Sequence, residues 1–473
     1  MVVSSFNKGI IRSAALILLL AGLILAGCGS VATKKAFYAP ITAELQSGNF
    51  ATAVSKIEKA KKEGRYGYKD RLVYFLDAGF AYHYAEKHDS SNIRLHAAEQ
   101  AADELYTKSI SRAMLSYVLN DNAQEYSGED YEVLYGNLIS ALNYIALNRF
   151  DNAFVEVKRA NEKLNLLELK YLEMARVLQR DQDKDTLGIK INYDVDKVRF
   201  NNSAFARYLS MHMYAADGKY DDADIDYHLL HAAFAEQPHI YDFSPPDVKF
   251  FAKDKNKVIL SVVALAGMAP VKEALQLRLR TDSDLNLVQI LYTDPERQGQ
   301  EYSHIPMKIG DNFYFKFAIP YLLKRPSGIS RIRVLVDSVE VGTLQLLEDV
   351  GAVADETFKA KRSLIYLKTI ARALAKGLIA QKQKEKVDKG NVGGWLAKLA
   401  IDAVADISEN ADLRCARLLP GQILVGDFEI APGTYNITIE FYNRIGNLLT
   451  TTNYKDYKVL PRGLNMVEAF ALD

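Results

Sequence analysis

The hydrophobic period of this chain changes near residue 245, and that change limits the folds open to it. From 41 to 238 apolar residues recur three and four apart, and few glycines or prolines interrupt. Ala, Leu, Tyr and Glu dominate there, so the stretch predicts helices. A polar connector, Arg180-Asp181-Gln182-Asp183-Lys184-Asp185, divides them. Ser244-Pro245-Pro246 and the charged residues after it read as a domain boundary. Beyond it Val258–Val263, Phe313–Phe317, Ile332–Val336 and Val341–Leu344 read as strands, with Ser327-Gly328 as a turn. Helix returns from Asp349 to Lys384. Leu364, Leu367, Ile370, Ala371, Leu374 and Leu378 lie on one side and basic residues on the other. Gly390, Gly393 and Gly394 break it, and Trp395–Ile407 forms a second helix. Strands resume at Ile423–Val425, Thr434–Glu440 and Leu464–Ala471, with Pro432-Gly433 as a turn.

Within the helical half one signature recurs. It reads Gly-Asn-Phe-Ala-Thr-Ala from Gly48, Asn-Arg-Phe-Asp-Asn-Ala from Asn148 and Gly-Lys-Tyr-Asp-Asp-Ala from Gly218. Tyr144 and Tyr214 each precede the turn residue by four. The pattern resembles the tetratricopeptide repeat. Gly or Asn ends the first helix in the left-handed conformation, and small alanines let the paired helices approach. Arg65 to Thr107 reads as another pair, and Tyr82, Tyr144 and Tyr214 are expected in the core of the array. The expected fold class is α+β. A tetratricopeptide-like all-α array over 41–240 precedes a β-sandwich-like domain in two parts, 250–348 and 411–473. A helical hairpin over 349–410 interrupts that domain, and strands from both sides of it share one sheet pair.

The N-terminus has the three zones of an export signal. Lys8 and Arg12 are basic, Ala14–Ala26 is apolar, and Leu25-Ala26-Gly27-Cys28 looks like a bacterial lipobox. The apolar run is shorter than the roughly 20 residues a membrane-spanning helix needs. Residues 1–27 are therefore expected to be a cleaved signal peptide, with Cys28 lipidated and 28–40 serving as the tether. Acyl chains such as palmitate hold a protein at a membrane through about 0.8 kcal/mol per buried CH₂. Gly29 after the cysteine is compatible with outer-membrane sorting in a diderm host, facing the periplasm.

Lys+Arg and Asp+Glu both number 59, so no net field favours nucleic acid. Cys28 and Cys415 are the two cysteines, and Cys415 is expected to be a buried structural thiol. A cluster of Asp221, Asp222, Asp224, Asp226, His228 and His231 has helical spacing that could present metal ligands. The carboxylates also suit the start of a helix, and that reading is preferred. Neither a phosphate loop nor a Gly-x-Ser-x-Gly elbow is present. No catalytic, cofactor-binding or metal residue is assigned. The loop Gly267–Glu273 reads as a tight strand-ending turn with Lys272-Glu273 solvated or facing a partner. A basic face of Lys359, Lys361, Arg362, Lys368, Arg372 and Lys376 reads as solvated, and Trp395 as packed on the β-domain.

Further stretches carry a wider resemblance. They are Leu76-Asp77-Ala78-Gly79 with Tyr82-His83-Tyr84, Tyr106–Ser111, Glu132 with Leu142-Asn143-Tyr144, Gly267–Glu273, and Ala411–Arg414 leading to Leu418-Leu419-Pro420. Together the chain resembles a family of bacterial lipoproteins with tetratricopeptide-like helices and a β-rich C-terminal part. Cys415 departs from its pattern, where a larger residue is expected. Genes of that family often lie beside those for penicillin-binding-protein activator lipoproteins, which implies a role in peptidoglycan synthesis or envelope assembly. The resulting expectation is a non-enzymatic, lipid-anchored interaction scaffold whose partners are envelope or cell-wall synthesis proteins. The alternative is a peptidoglycan or glycan binding protein or hydrolase.

Overall fold

The computed structural model describes residues 31–111, 124–183, 198–285, 287–293, 300–306, 314–359, 361–366, 369 and 411–473. The signal segment, Cys28, Lys368, Arg372, Lys376, Trp395 and the expected second hairpin helix lie outside the described residues.

The helical half is a series of helical hairpins. They are α1 (Lys35–Gln46) with α2 (Phe50–Lys62), α3 (Arg71–Tyr84) with α4 (His88–Ser111), α5 (Asp130–Ala146) with α6 (Phe150–Asp183), and α7 (Ala204–Ala216) with α8 (Tyr220–Glu236). Helix α6 runs through Arg180–Asp183, so the polar residues expected as a connector partly extend a helix. Each hairpin turns on one residue of positive φ: Gly48 at 77°, Glu86 at 54°, Asn148 at 55° and Gly218 at 76°. The turns share one hydrogen-bond pattern. Lys87, Arg149 and Lys219 donate their N–H to the carbonyls of Tyr82, Tyr144 and Tyr214, and Asn49 donates to that of Glu44. These bonds satisfy carbonyls that a helix end leaves open. The repeated Tyr therefore marks the residue whose carbonyl closes the turn. Tyr144 is buried, whereas Tyr82 and Tyr214 are only half-buried, which corrects their placement in the core. Ala53, Ala153 and Ala223 are fully buried, and a larger side chain would push their helices apart.

Among the described residues, the second half holds three four-stranded sheets. The strands are β1 (Val258–Met268), β2 (Val271–Asp282), β3 (Leu287–Thr293), β4 (Gln300–Pro306), β5 (Tyr314–Leu323), β6 (Ile329–Val336), β7 (Val339–Thr343), β8 (Gln345–Asp349), β9 (Pro420–Ile430), β10 (Gly433–Asn443), β11 (Leu448–Val459) and β12 (Met466–Ala471). The central sheet has order β12-β1-β9-β8, the outer sheet β11-β10-β6-β7 and the third β4-β3-β2-β5. Strands from either side of residues 349–410 thus interleave, β9 beside β1 and β10 beside β6. Asp349 ends β8 and caps the helix that follows, accepting from the Ala352 N–H at 3.1 Å.

Strand β1 explains the arrangement. Its sequence is nearly all apolar and Leu260 to Met268 are buried without alternation, because both faces of the central sheet are covered. Leu260, Val262 and Ala264 pack with Ile332, Val334, Ile437 and Ile439 of the outer sheet. Val263 and Leu265, with Ile423 and Val425, share one core with the helices. At the end of β1, Gly267 has φ of 60°, and a Cβ there would lie 2.7 Å from Ser327 Cβ, so the position needs glycine.

Candidate functional site

Where the helices meet the central sheet, carboxylates are buried and tyrosines answer them. Glu348 of β8 is fully buried. It accepts from Tyr135 Oη at 2.6 Å, Tyr241 Oη at 2.7 Å, Ser203 Oγ at 2.9 Å and the Phe205 N–H at 3.2 Å. Ser203 caps α7, so this carboxylate also sits at the positive end of a helix. Asp427 of β9 accepts from Tyr208 Oη at 2.8 Å and the Lys249 N–H at 2.9 Å. Glu468 of β12 lies 3.0 Å from Nε2 of buried His83, whose Nδ1 is 2.8 Å from Asn143 Oδ1.

The same chemistry continues among the helices. Asp77 Oδ2 accepts from Tyr38 at 2.6 Å and Tyr66 at 2.9 Å. Glu132 accepts from Tyr126 at 2.7 Å, the Glu129 N–H at 2.9 Å and the Ala416 N–H at 2.7 Å. A phenol satisfies a buried carboxylate without adding a second charge, so loss of water dominates. Burial lifts Asp77 to about 7 against the bonds from Tyr38 and Tyr66. It lifts Glu132 to about 7 with help from the nearby Glu129 charge, and raises Glu348. The chain has 28 Tyr against 20 Phe, and these contacts show what the extra hydroxyls do.

Charged pairs seal the rest of the seam. Lys272 is only 2% exposed and bonds Glu129, with its ammonium 5.1 Å from the Tyr126 ring. Glu273 pairs with Lys35 at 2.8 Å. Neither residue is the solvated or partner-facing group expected of this turn. Lys361 donates to the Gly128 carbonyl at 2.6 Å and pairs with Glu129 at 2.9 Å, so it too has left the expected basic face. Arg414 binds Asp412 at 2.7 Å and Asp70 at 3.1 Å and donates to the Gln124 carbonyl at 3.0 Å. Cys415 beside it is fully buried, and burial pushes its thiol up. Segments that carried the resemblance thus converge here: Asp77, His83, Glu132, Asn143, Lys272 and Asp412 through Leu418. The Leu418 carbonyl accepts from Tyr84 at 2.8 Å.

The seam also holds a Ser-His-Asp trio that the sequence spacing did not reveal. Ser261 lies opposite Asp427 in the β1–β9 register, and His212 of α7 lies between them, 3.1 Å from Asp427. Ser261 Oγ is 3.2 Å from Nδ1 and 3.4 Å from Nε2. It therefore straddles the imidazole instead of aligning on one nitrogen, as an activated nucleophile requires. Ser261 is mid-strand and 1% exposed.

The expected ligand spacing on α8 splits apart. Asp226 turns inward to Arg207 at 3.0 Å and Ser210 at 2.5 Å, while Asp224 and His228 pair on the solvent side at 3.4 Å. Asp221 and Asp222 lie exposed in the first turn of α8, and His231 is half-buried. Among the described residues no group of three or more His, Cys, Asp or Glu could hold a metal ion. No described helix is long and apolar enough to cross a membrane.

One open surface stands out on the helical array. A groove of about 1000 Å³ lies between the α5–α6 turn and the α7–α8 hairpin. Phe154 and Tyr214, with ring centroids 4.8 Å apart, lie on its wall. Val155 and Ile225 also line it and are 47% and 57% exposed. Arg149, Lys158 and Asp222 supply charges of both signs. No family model matches the chain, and comparison with curated proteins and with solved structures finds no match either.

Proposed function

We propose that this chain is a lipid-anchored, non-enzymatic scaffold of the cell envelope. In this reading Cys28 carries the anchor and the helical groove receives a partner protein active in envelope assembly or peptidoglycan synthesis. One observation carries the binding part. The groove leaves Val155 and Ile225 exposed between rigid hairpins, and apolar residues in a concave, charge-rimmed surface suit a protein partner. The Ser261–His212–Asp427 trio supports a non-enzymatic role, because its hydroxyl straddles the imidazole and is not aligned on one nitrogen.

Site-specific photocrosslinking in intact cells tests the reading. Crosslinkers at 155 and 225 are expected to capture one defined envelope protein, and a crosslinker at exposed Lys253 is not. Val155→Glu with Ile225→Glu should abolish that capture while the helical circular dichroism is unchanged. Equal capture from all three positions, or capture that survives the double substitution, contradicts the groove as the binding surface. Incorporation of labelled palmitate that persists in Cys28→Ser would contradict the anchor.

A further inference from the structure

A second cavity lies on the other side of the α7–α8 turn. It has a volume of about 470 Å³, within the usual range of about 300–1,000 Å³ for ligand pockets. Three segments enclose it: the α7–α8 turn, residues 250–259 and residues 461–465. Its floor holds His212 and Ser261, both nearly fully buried. Asp427 and Tyr208 hold that floor in place from below.

Two features of the rim point to a ligand. Lys255, Lys257 and Arg462 surround the cavity, and none of them makes an ion pair among the described residues. Of the two acids on the rim, Asp217 is already paired with Lys219 at 2.6 Å, and Asp254 accepts from the Asn256 N–H at 2.9 Å. The rim therefore has an excess of positive charge. Tyr220 and Phe251 also border it, each 54% exposed. Exposed aromatic rings at the rim of a polar cavity offer flat faces on which an apolar side of a ligand can pack.

We propose that this cavity binds a saccharide that carries an acidic group. A pyranose ring offers a face of C–H groups to Tyr220 or Phe251 and a rim of hydroxyls to polar neighbours. The acidic group meets Lys255, Lys257 and Arg462, where charge-assisted hydrogen bonds give strength and direction. The cavity adjoins the helical groove and shares Ala216, Asp217 and Gly463 with it, but Val155 and Ile225 line only the groove and Lys255, Lys257 and Arg462 only the cavity, so each can fail without the other.

Titration calorimetry on the full chain tests the site with four probes: a disaccharide of glucuronic acid and N-acetylglucosamine, its methyl ester, the neutral disaccharide chitobiose, and inorganic phosphate. The acidic disaccharide is expected to bind, and the ester and chitobiose to bind about tenfold more weakly. Lys255→Ala with Lys257→Ala and Arg462→Ala should lose the acidic disaccharide by about tenfold, and Phe251→Ala should weaken all sugars several-fold. All four positions are exposed, and circular dichroism confirms the fold of each variant. The groove substitutions Val155→Glu and Ile225→Glu should leave sugar binding unchanged. The proposal is overturned if none of the three sugars binds, if the ester or chitobiose binds as tightly as the acidic disaccharide, if the variants bind as wild type does, or if phosphate binds as tightly as the disaccharide and is indifferent to Phe251→Ala.

Discussion

The two faces of the central sheet solve the same packing problem with different chemistry. Toward the outer sheet, β1 presents Leu260, Val262 and Ala264 and β12 presents Val467, Ala469 and Ala471, an aliphatic contact edged by Tyr454 and Tyr457 of β11, whose hydroxyls donate to the backbone carbonyls of Glu468 and Met466. Toward the helices, residues one step along present Ser261 of β1 and Glu468 of β12, β9 adds Asp427 opposite Ser261, and β8 adds Glu348. The outer-sheet face draws chiefly on burial, at about 25 cal/mol per Å², and among the described residues buries no side-chain carboxylate in its core. The helical face adds directional bonds, each costly to leave unmade. The difference teaches where orientation is specified. The helices share an apolar core with the sheet through Val263, Leu265, Ile423 and Val425, and the tyrosine–carboxylate contacts within that interface add direction to it.

Substitutions separate the faces, and the largest effect belongs to the polar one. Glu348→Leu strands the donors of Tyr135, Tyr241, Ser203 and Phe205, and denaturant unfolding should show a loss of about 3–5 kcal/mol. Tyr208→Phe removes one hydrogen bond to Asp427 and should cost about 1.5–3 kcal/mol. Gly218→Ala meets no atom within 4 Å, so its cost is the left-handed backbone alone, about 1–2 kcal/mol in thermal unfolding. Ile439→Val on the apolar face should cost about 0.5–1.5 kcal/mol. If Ile439→Val proved more damaging than Glu348→Leu, the contrast between the faces would collapse.

Much of the fold was legible because local rules agree with it. The change of period marks the passage from helix to sheet, and Gly48, Asn148 and Gly218 mark three hairpin turns. The turn at Glu86 escaped notice because glutamate is an uncommon left-handed residue. Strand β11 was missed because it is an edge strand, mostly exposed, and Thr450-Thr451-Thr452-Asn453 shows no apolar alternation. Strand β2 does alternate, with Leu277, Leu279 and Thr281 inward and Gln276, Arg278 and Arg280 outward. Of the polar seam, single members were visible but partners were not. Tyr135 and Glu348 are 213 residues apart, and Tyr208 and Asp427 are 219 apart. Lys272 reads locally as a surface lysine, and only the packed structure brings Glu129 to it.

The seam makes one demand that the apolar face does not. Asp77 and Glu132 are raised to about 7, from ordinary values of 3.8 and 4.5. The native state therefore holds their protons over a range in which the unfolded chain has released them. Their contribution is fully present below about pH 4 and is lost as pH rises toward 7. His83 acts in the same direction: burial opposes its charge, but Glu468 and Asn143 raise it, so its contribution fades as pH climbs past 6.5. Asp130 and Asp412 have the opposite sign. Burial raises them, but Lys170 and Arg414 pull them below 3.8, so their stabilisation fails only in stronger acid.

The most direct test is unfolding free energy measured from pH 5 to pH 7 for wild type and for Asp77→Asn with Glu132→Gln. Wild-type stability should fall with rising pH. The double variant should flatten that slope by up to about 1.4 kcal/mol per pH unit for each group removed. A wild-type stability that rises over this range, or a slope unchanged by the double substitution, would contradict burial-raised carboxyls at Asp77 and Glu132.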